Sequence, residues 1–156
     1  MSVKEIAILR AAPHQAGDLS EIARLAKAHW DYPAEWLDRW RNELTLTEAW
    51  VRENEVYAAM LGDRVVGLYA LEGELPLLQL EHFWVLPDWI GRGVGRRLLE
   101  HALERARARG ALTLEVDSDP NAEGYYLRLG GRRVGQLPAP MPGAPDRFLP
   151  RLHFDL

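Results

Sequence analysis

Apolar positions along the chain fall into two rhythms, and the change from one to the other divides it into elements. Val3 to Arg10 reads as a first strand, closed by Ala11-Ala12-Pro13. Leu19, Ile22, Ala23, Leu25 and Ala26 then recur at helical spacing as far as His29, which predicts a helix with Asp18 or Ser20 as N-cap. After Tyr32-Pro33 the same spacing returns at Trp36, Leu37, Trp40 and Leu44 and predicts a second helix. Thr47-Glu48 opens a short segment that ends near Glu53.

The rhythm then shortens. Val56–Leu61 and Val65–Leu71 flank Gly62-Asp63-Arg64, a hairpin signal, and Leu77–Leu86 is a third strand stopped by Pro87. Val94–Arg109 predicts a helix with Gly110 at its C-cap, followed by a strand at Ala111–Asp117. Pro120–Leu129 predicts a further helix ended by Gly130-Gly131, then a short strand at Arg132–Val134 and a last one within Arg147–Phe154. The Pro-rich stretch from Pro138 to Pro145 is too short for an inter-domain linker. The expectation is one α+β domain over residues 1–156, antiparallel early and with a strand-helix-strand unit late.

Composition narrows the class. The 156 residues are 47% hydrophobic and 27% charged, with no apolar run long enough to span a membrane and no signal-peptide pattern, so the expected location is the cytoplasm. There is no cysteine, which removes disulfides, thiolate metal sites and any acyl-cysteine intermediate on this chain. The five histidines have no ligand-like spacing, and His14 and His153 read as surface or edge residues, so no metal is expected. A net charge of −4 argues against a general nucleic-acid binder. The cations are nevertheless concentrated: Arg92, Arg96, Arg97, Arg105, Arg107 and Arg109 crowd one turn and the helix after it.

That turn carries Gly91, Gly93 and Gly95 between a strand and a helix, an arrangement that suits an anion such as a pyrophosphate. Glycines let the backbone approach, and the first N–H groups of the helix point at the ligand. A Walker A loop would need Gly-Lys-Ser/Thr, and Gly95 is followed by Arg96-Arg97. A dinucleotide fingerprint would need a glycine where Arg96 stands and an early position in the fold, although Asp117 has the character of a ribose-binding acid.

The run Val85-Leu86-Pro87-Asp88-Trp89-Ile90-Gly91-Arg92-Gly93-Val94-Gly95 resembles motif A of the GNAT superfamily of N-acetyltransferases, Gln/Arg-x-x-Gly-x-Gly/Ala, with Gly93 and Gly95 matching and Ile90 departing at the first position. The run from Asp119 through Asn121, Ala122, Tyr125 and Tyr126 to Gly131 resembles the family's second signature, with Gly131 in place of the usual Phe. The resemblance implies a GNAT-like acyltransferase fold: a central, mostly antiparallel mixed sheet of about six to seven strands flanked by about four helices.

It also implies acetyl-CoA as co-substrate, without metal. The pyrophosphate would rest on Gly91, Arg92, Gly93, Val94, Gly95 and Arg96, assisted by Arg92, Arg96 or Arg97. The pantetheine arm would pair with the strand edge at Phe83, Trp84 and Val85, and Asn121, or Asp119 in a shifted register, would contact the arm. A backbone N–H near Phe83 or Val85 would serve as a one-donor oxyanion site. By similarity Tyr126 would protonate the departing thiolate, while Tyr125 better suits packing of the helix on the sheet. For the base the reading prefers Glu81, with His82 as runner-up.

The acceptor should be a small-molecule or peptide amine. His29, Trp30 and Tyr32, with Asp31 and Glu35 nearby, form an aromatic, partly acidic patch able to hold it by cation–π attraction, whereas Trp36 and Trp40 look like core. The expected activity is direct transfer of acetyl to a primary amine in a ternary complex. The alternative is a non-catalytic acyl-CoA-binding sensor or interaction domain. Sequence leaves open the length of the acyl group and whether exposed strand edges pair into a homodimer.

Overall fold

The computed structural model describes residues 5–156. Val3 and Lys4 of the expected first strand, and the start of the N-terminal segment read for a leader, lie outside the described residues. The elements are β1 (Ala7–Arg10), α1 (Ala16–Ala28), α2 (Ala34–Arg39), α3 (Glu48–Glu53), β2 (Glu55–Leu61), β3 (Arg64–Glu74), β4 (Leu77–Val85), α4 (Val94–Ala108), β5 (Thr113–Asp117), α5 (Glu123–Arg128), β6 (Arg132–Pro138) and β7 (Phe148–Asp155). The strands form one seven-stranded sheet in the order β1-β2-β3-β4-β5-β7-β6. The β4–β5 pairing is parallel, and β1–β2, β2–β3, β5–β7 and β6–β7 are antiparallel, so the sheet is mixed and mostly antiparallel as expected.

The chain divides into two compact units: residues up to Glu72 with Glu81–Ala102, and Gly73–Leu80 with Leu103–Leu156. In the first, Leu19 and Ile22 of α1 are buried with Val51, Val56, Ala58, Leu68 and Ala70, and Trp50, Trp84 and Leu86 pack against this core. Tyr57 and Tyr69 stack at 5.2 Å and meet His101 of α4, whose Nδ1 lies 2.6 Å from the Tyr69 hydroxyl. Gly67 allows α4 to come close: a Cβ there would lie 2.9 Å from Leu98 Cδ1 and 3.0 Å from the Trp84 carbonyl.

In the second unit, Leu78, Leu114, Val116, Leu152 and Phe154 are buried. Tyr126 of α5 meets Phe154 edge to face at 6.4 Å. Strand alternation sends Gln79, Glu115, Asp117, Arg151 and His153 to the opposite face from that apolar set. Two helix stops, after α4 and after α5, are glycine caps. Gly110 and Gly130 take φ of +94° and +105°, and the N–H groups of Ala111 and Gly131 return to the carbonyls of Ala106 and Tyr126.

Several boundaries depart from expectation. Neither Asp18 nor Ser20 caps α1, which begins at Ala16 after a 3-10 turn over Pro13–Gln15. Ser20 is buried instead, donating to the Ala16 carbonyl at 2.8 Å and accepting from Leu46 N–H at 2.8 Å, so it ties a distant loop to the helix. The second helix stops at Arg39 and continues to Leu44 only as hydrogen-bonded turns. The Pro120 segment is a 3-10 turn before α5 starts at Glu123. Strand β6 extends beyond Val134 because pairing with β7, through an irregularity between Arg133 and Gly135, sustains residues that lack apolar alternation. Among the described residues there are five α-helices. None is long and apolar enough to cross a membrane.

Candidate active site

The glycine turn follows β4 directly. After Val85 the chain makes a 3-10 turn over Pro87–Trp89, and α4 begins at Val94. Gly91 and Gly93 hold φ of +80° and +86°, a region that strains any residue with a Cβ, and a Cβ at Gly91 would meet nothing within 4 Å. The backbone there faces open space. Helix geometry leaves the N–H groups of Gly93 to Arg96 without an intrahelical acceptor, and the first turn of α4 holds no acidic residue. The turn thus offers backbone donors and no negative side chain, an arrangement that suits an anionic group.

The three arginines of this turn have different roles. Arg92 lies over the buried Trp89 ring at 5.0 Å, and Arg96 is exposed and bridges Glu100 at 3.2 Å. Arg97 does not face the turn's ligand side as expected: its Nη1 donates to the Ile6 carbonyl at 2.6 Å and anchors the segment entering β1. Ile90, the departure from the motif, is 47% exposed.

On β4 the parallel ladder with β5 uses only Leu77, Leu78 and Gln79, the first three residues of the strand. Beyond it Glu81 is exposed and His82, Phe83, Trp84 and Val85 are half-buried. The Trp84 indole N–H donates to His82 Nδ1 at 2.9 Å, and the imidazole meets Trp50 edge to face at 5.5 Å. Accepting at Nδ1 puts the proton of the neutral ring on Nε2. Burial lowers the His82 pKa to about 4, so the ring is neutral at pH 7.

At the junction of α1 and α2, Tyr32, Trp36 and Trp40 form a three-ring cage. Tyr32 stacks on Trp36 at 5.6 Å, and Trp40 meets both edge to face at 4.9 and 5.9 Å. A cation already lies at this cage. Lys27, 9% exposed, places Nζ 4.3 Å from the Trp40 centroid and 5.2 Å from that of Tyr32. Of the expected acceptor patch His29, Trp30, Asp31 and Glu35 are exposed and Tyr32 is half-buried, and the His29 and Trp30 rings meet edge to face at 5.5 Å.

The second unit carries the other candidates. Asn121 is exposed, and both its backbone N–H and its side-chain amide donate to Asp119 Oδ1, at 2.9 and 3.0 Å. Tyr126 is 6% exposed, and its pKa is raised above the phenol range chiefly by burial, with the neighbouring Tyr125 and Asp119 adding to the effect. Glu115 accepts from Gln79 at 2.9 Å and from His153 Nε2 at 2.8 Å. Burial pushes the Glu115 carboxyl up, but these hydrogen bonds and the charges of Arg151 and His153 outweigh it, and the net shift is downward. Arg151 grips Asp117 with two bonds of 2.8 and 3.2 Å.

A family model described as the acetyltransferase (GNAT) family matches residues 22–130, a stretch that contains the first motif and all of the second but Gly131. The chain belongs to the GNAT acetyltransferase family. It is 33% identical over 107 residues to the peptidyl-lysine N-acetyltransferase YjaB of Escherichia coli K12, a match that covers 68% of this chain and 64% of that protein's length. Solved structures agree in fold. A GCN5-related N-acetyltransferase from Rhodopseudomonas palustris superposes with a TM-score of 0.80 at 24% identity over 96% of this chain and 95% of that one. The PaiA N-acetyltransferase of Thermoplasma acidophilum, solved with coenzyme A, gives 0.74 at 15% identity over 97% and 99%.

Within this GNAT chain, three sequence readings change. Tyr126, not Tyr125, is the aromatic packed into the apolar layer of its unit, because α5 turns that position onto Phe154. Tyr32 borders a cage that holds an internal lysine rather than standing open. His153 is no simple edge residue, since β5–β7 pairing sets it opposite Glu115. Lys27 and the Glu115 network were missed altogether. The signal for the first was a lysine in the last turn of a helix leading into an aromatic cluster; the second depends on strand pairing that no local spacing reports. Among the described residues no group of three or more His, Cys, Asp or Glu is placed to hold a metal ion.

Proposed function

We propose that this chain is an acetyl-CoA-dependent N-acetyltransferase that moves the acetyl group to a primary amine by direct transfer in a ternary complex. The observation that carries the reading is the open, positive-φ glycine turn at the N-terminus of α4, within a chain of the GNAT family. Acetyl-CoA, when bound, supplies the thioester whose acyl carbon an amine attacks. Gly91, Gly93, Val94, Gly95 and Arg96 would hold the pyrophosphate through backbone N–H groups, with Arg92 and Arg96 adding charge. The edge of β4 at Phe83–Val85, outside the β5 ladder, would receive the amides of the pantetheine arm, and a backbone N–H there would face the acetyl oxygen. Asn121 would contact the arm. With no cysteine in the chain, the acetyl group does not pass through an enzyme thioester.

The acceptor must lose a proton. An alkylammonium of pKa about 10.4 costs about 4.6 kcal/mol to deprotonate at pH 7. Glu81 is the base in this proposal: it is exposed on β4, whereas the one lone pair of the neighbouring His82 ring, on Nδ1, is occupied by the Trp84 indole N–H and Nε2 carries the proton. Tyr126 is assigned to protonate the departing thiolate. The acceptor class is a peptidyl lysine or a small amine, supported by the name of the Escherichia coli relative. The expected compartment is the cytoplasm.

A second reading, an acyl-CoA-binding domain without turnover, draws on the burial of Tyr126, which makes its phenol a weaker acid than usual. Thiol release from acetyl-CoA across a panel of lysine peptides and small amines separates the two. Turnover is expected on at least one acceptor, with Glu81→Gln about 10- to 100-fold slower near neutral pH and the gap narrowing at high pH. Binding of CoA with no turnover on any amine would favour the second reading.

A further inference from the structure

We propose that Lys27 is a built-in ammonium ligand of the Tyr32–Trp36–Trp40 cage, and that by filling it Lys27 keeps the cage closed to alkylammonium ligands. Sequence alone suggests that Tyr32, with His29 and Trp30, holds an acceptor's cation and that Trp36 and Trp40 are core. The geometry instead points to a cage built around the chain's own amine, with Nζ 4.3 Å from the Trp40 centroid and 5.2 Å from Tyr32. Each part of the local backbone serves that placement. Lys27 lies in the last turn of α1, where a cation also complements the helix dipole. Asp31 takes φ of +60°, a sharp reversal after its N–H bonds the Ala28 carbonyl at 3.1 Å, and Tyr32 follows it back toward Lys27. Trp40 is 9% exposed, so the principal ring face is shielded from water, where attraction to a cation is strongest.

The rings are locked by one another rather than by the lysine alone, since each meets the other two. Removing the side chain beyond Cβ therefore leaves a preformed, electron-rich hollow matched to the group removed, n-propylammonium. The cage thus discriminates by occupancy: the native protein excludes a cation that its own rings would otherwise bind. For acceptor choice this rests on the amine-transfer reading above, and it implies that an acceptor cation is held elsewhere; the occupancy itself does not depend on that reading.

The test compares the native protein, Lys27→Ala and Lys27→Met by thermal melting with n-propylammonium chloride, 1-propanol or sodium chloride at matched concentration. Lys27→Ala should melt lower by about 2–8 °C, the range expected for a shielded cation–π pair in a chain of this size. n-Propylammonium should restore part of that loss, while 1-propanol and sodium chloride should not. The native protein and Lys27→Met, whose cages are filled, should not respond. Equal recovery with 1-propanol, or equal responses from all three proteins, would overturn the proposal. Should Lys27→Ala fail to fold, NMR of the native protein decides: the Lys27 ε-methylene protons must be shifted upfield by the rings, and random-coil shifts would contradict the occupancy. Absence of amine turnover would bear on the proposed function and leave both readouts intact.

Discussion

The glycine turn before α4 and the aromatic junction between α1 and α2 belong to the same unit and both read as ligand sites in the sequence, yet the turn is open and the Tyr32–Trp36–Trp40 cage is filled. At the turn the proposed ligand groups are backbone N–H groups, and their availability follows from glycine φ angles and helix position. At the junction they are side chains, and what they bind depends on which neighbour arrives first in three dimensions. Lys27 does. A motif that acts through the backbone can be read from spacing, whereas an aromatic box can be assigned a ligand only once its own chain has been ruled out as the occupant.

The largest effect is expected at the turn. Gly93→Val forces a β-branched residue into φ of +86° and crowds the anion face, and it should weaken acetyl-CoA binding about a thousand-fold by calorimetry while circular dichroism stays native. Retained affinity would mean that the turn's backbone is not the phosphate cradle.

Side-chain partnership is sharpened at His82. Its folded pKa of about 4 lies below the unfolded value near 6.5, so between these pH values the unfolded chain binds a proton that the folded one does not. Its contribution to stability is present above pH 6.5 and is lost as pH falls toward 4, by about 3 kcal/mol. Denaturant titrations should show that slope, and His82→Phe should flatten it. An unchanged slope in the variant would assign the acid sensitivity to other groups.

Tyr126→Phe keeps the ring against Phe154 and removes only the hydroxyl. If the hydroxyl protonates the thiolate, kcat falls about 10- to 100-fold with KM for acetyl-CoA little changed. Unchanged kcat would leave Tyr126 as a packing residue. The smallest effect is expected at Thr47, which accepts from Trp50 N–H at 3.0 Å at the start of α3. Thr47→Ala should cost about 1 kcal/mol in stability without altering acetyl-CoA affinity.

The fold was legible wherever local chemistry decides it. The Gly62 hairpin, the short segment opened at Thr47, the glycine stops at Gly110 and Gly130 and the strand-turn-helix at Gly91–Gly95 all depend on residues a few positions apart. What was not legible depends on pairing between distant segments. Ser20 looked like an N-cap and proves to be the clasp for Leu46; Arg97 looked like a phosphate ligand and holds the Ile6 carbonyl. The choice between Tyr125 and Tyr126 turned on the phase of a helix only six residues long, too short for periodicity to resolve.

In the proposed function the turn at Gly91–Gly95 makes this GNAT chain bind acetyl-CoA through its pyrophosphate. Isothermal titration of the native protein tests it most directly, with acetyl-CoA in one run and acetyl-pantetheine, which lacks the pyrophosphate, in the other. The account predicts saturable binding of acetyl-CoA and at least about 100-fold weaker binding of acetyl-pantetheine. Equal affinity for the two, or no heat with acetyl-CoA at millimolar concentration, would contradict it.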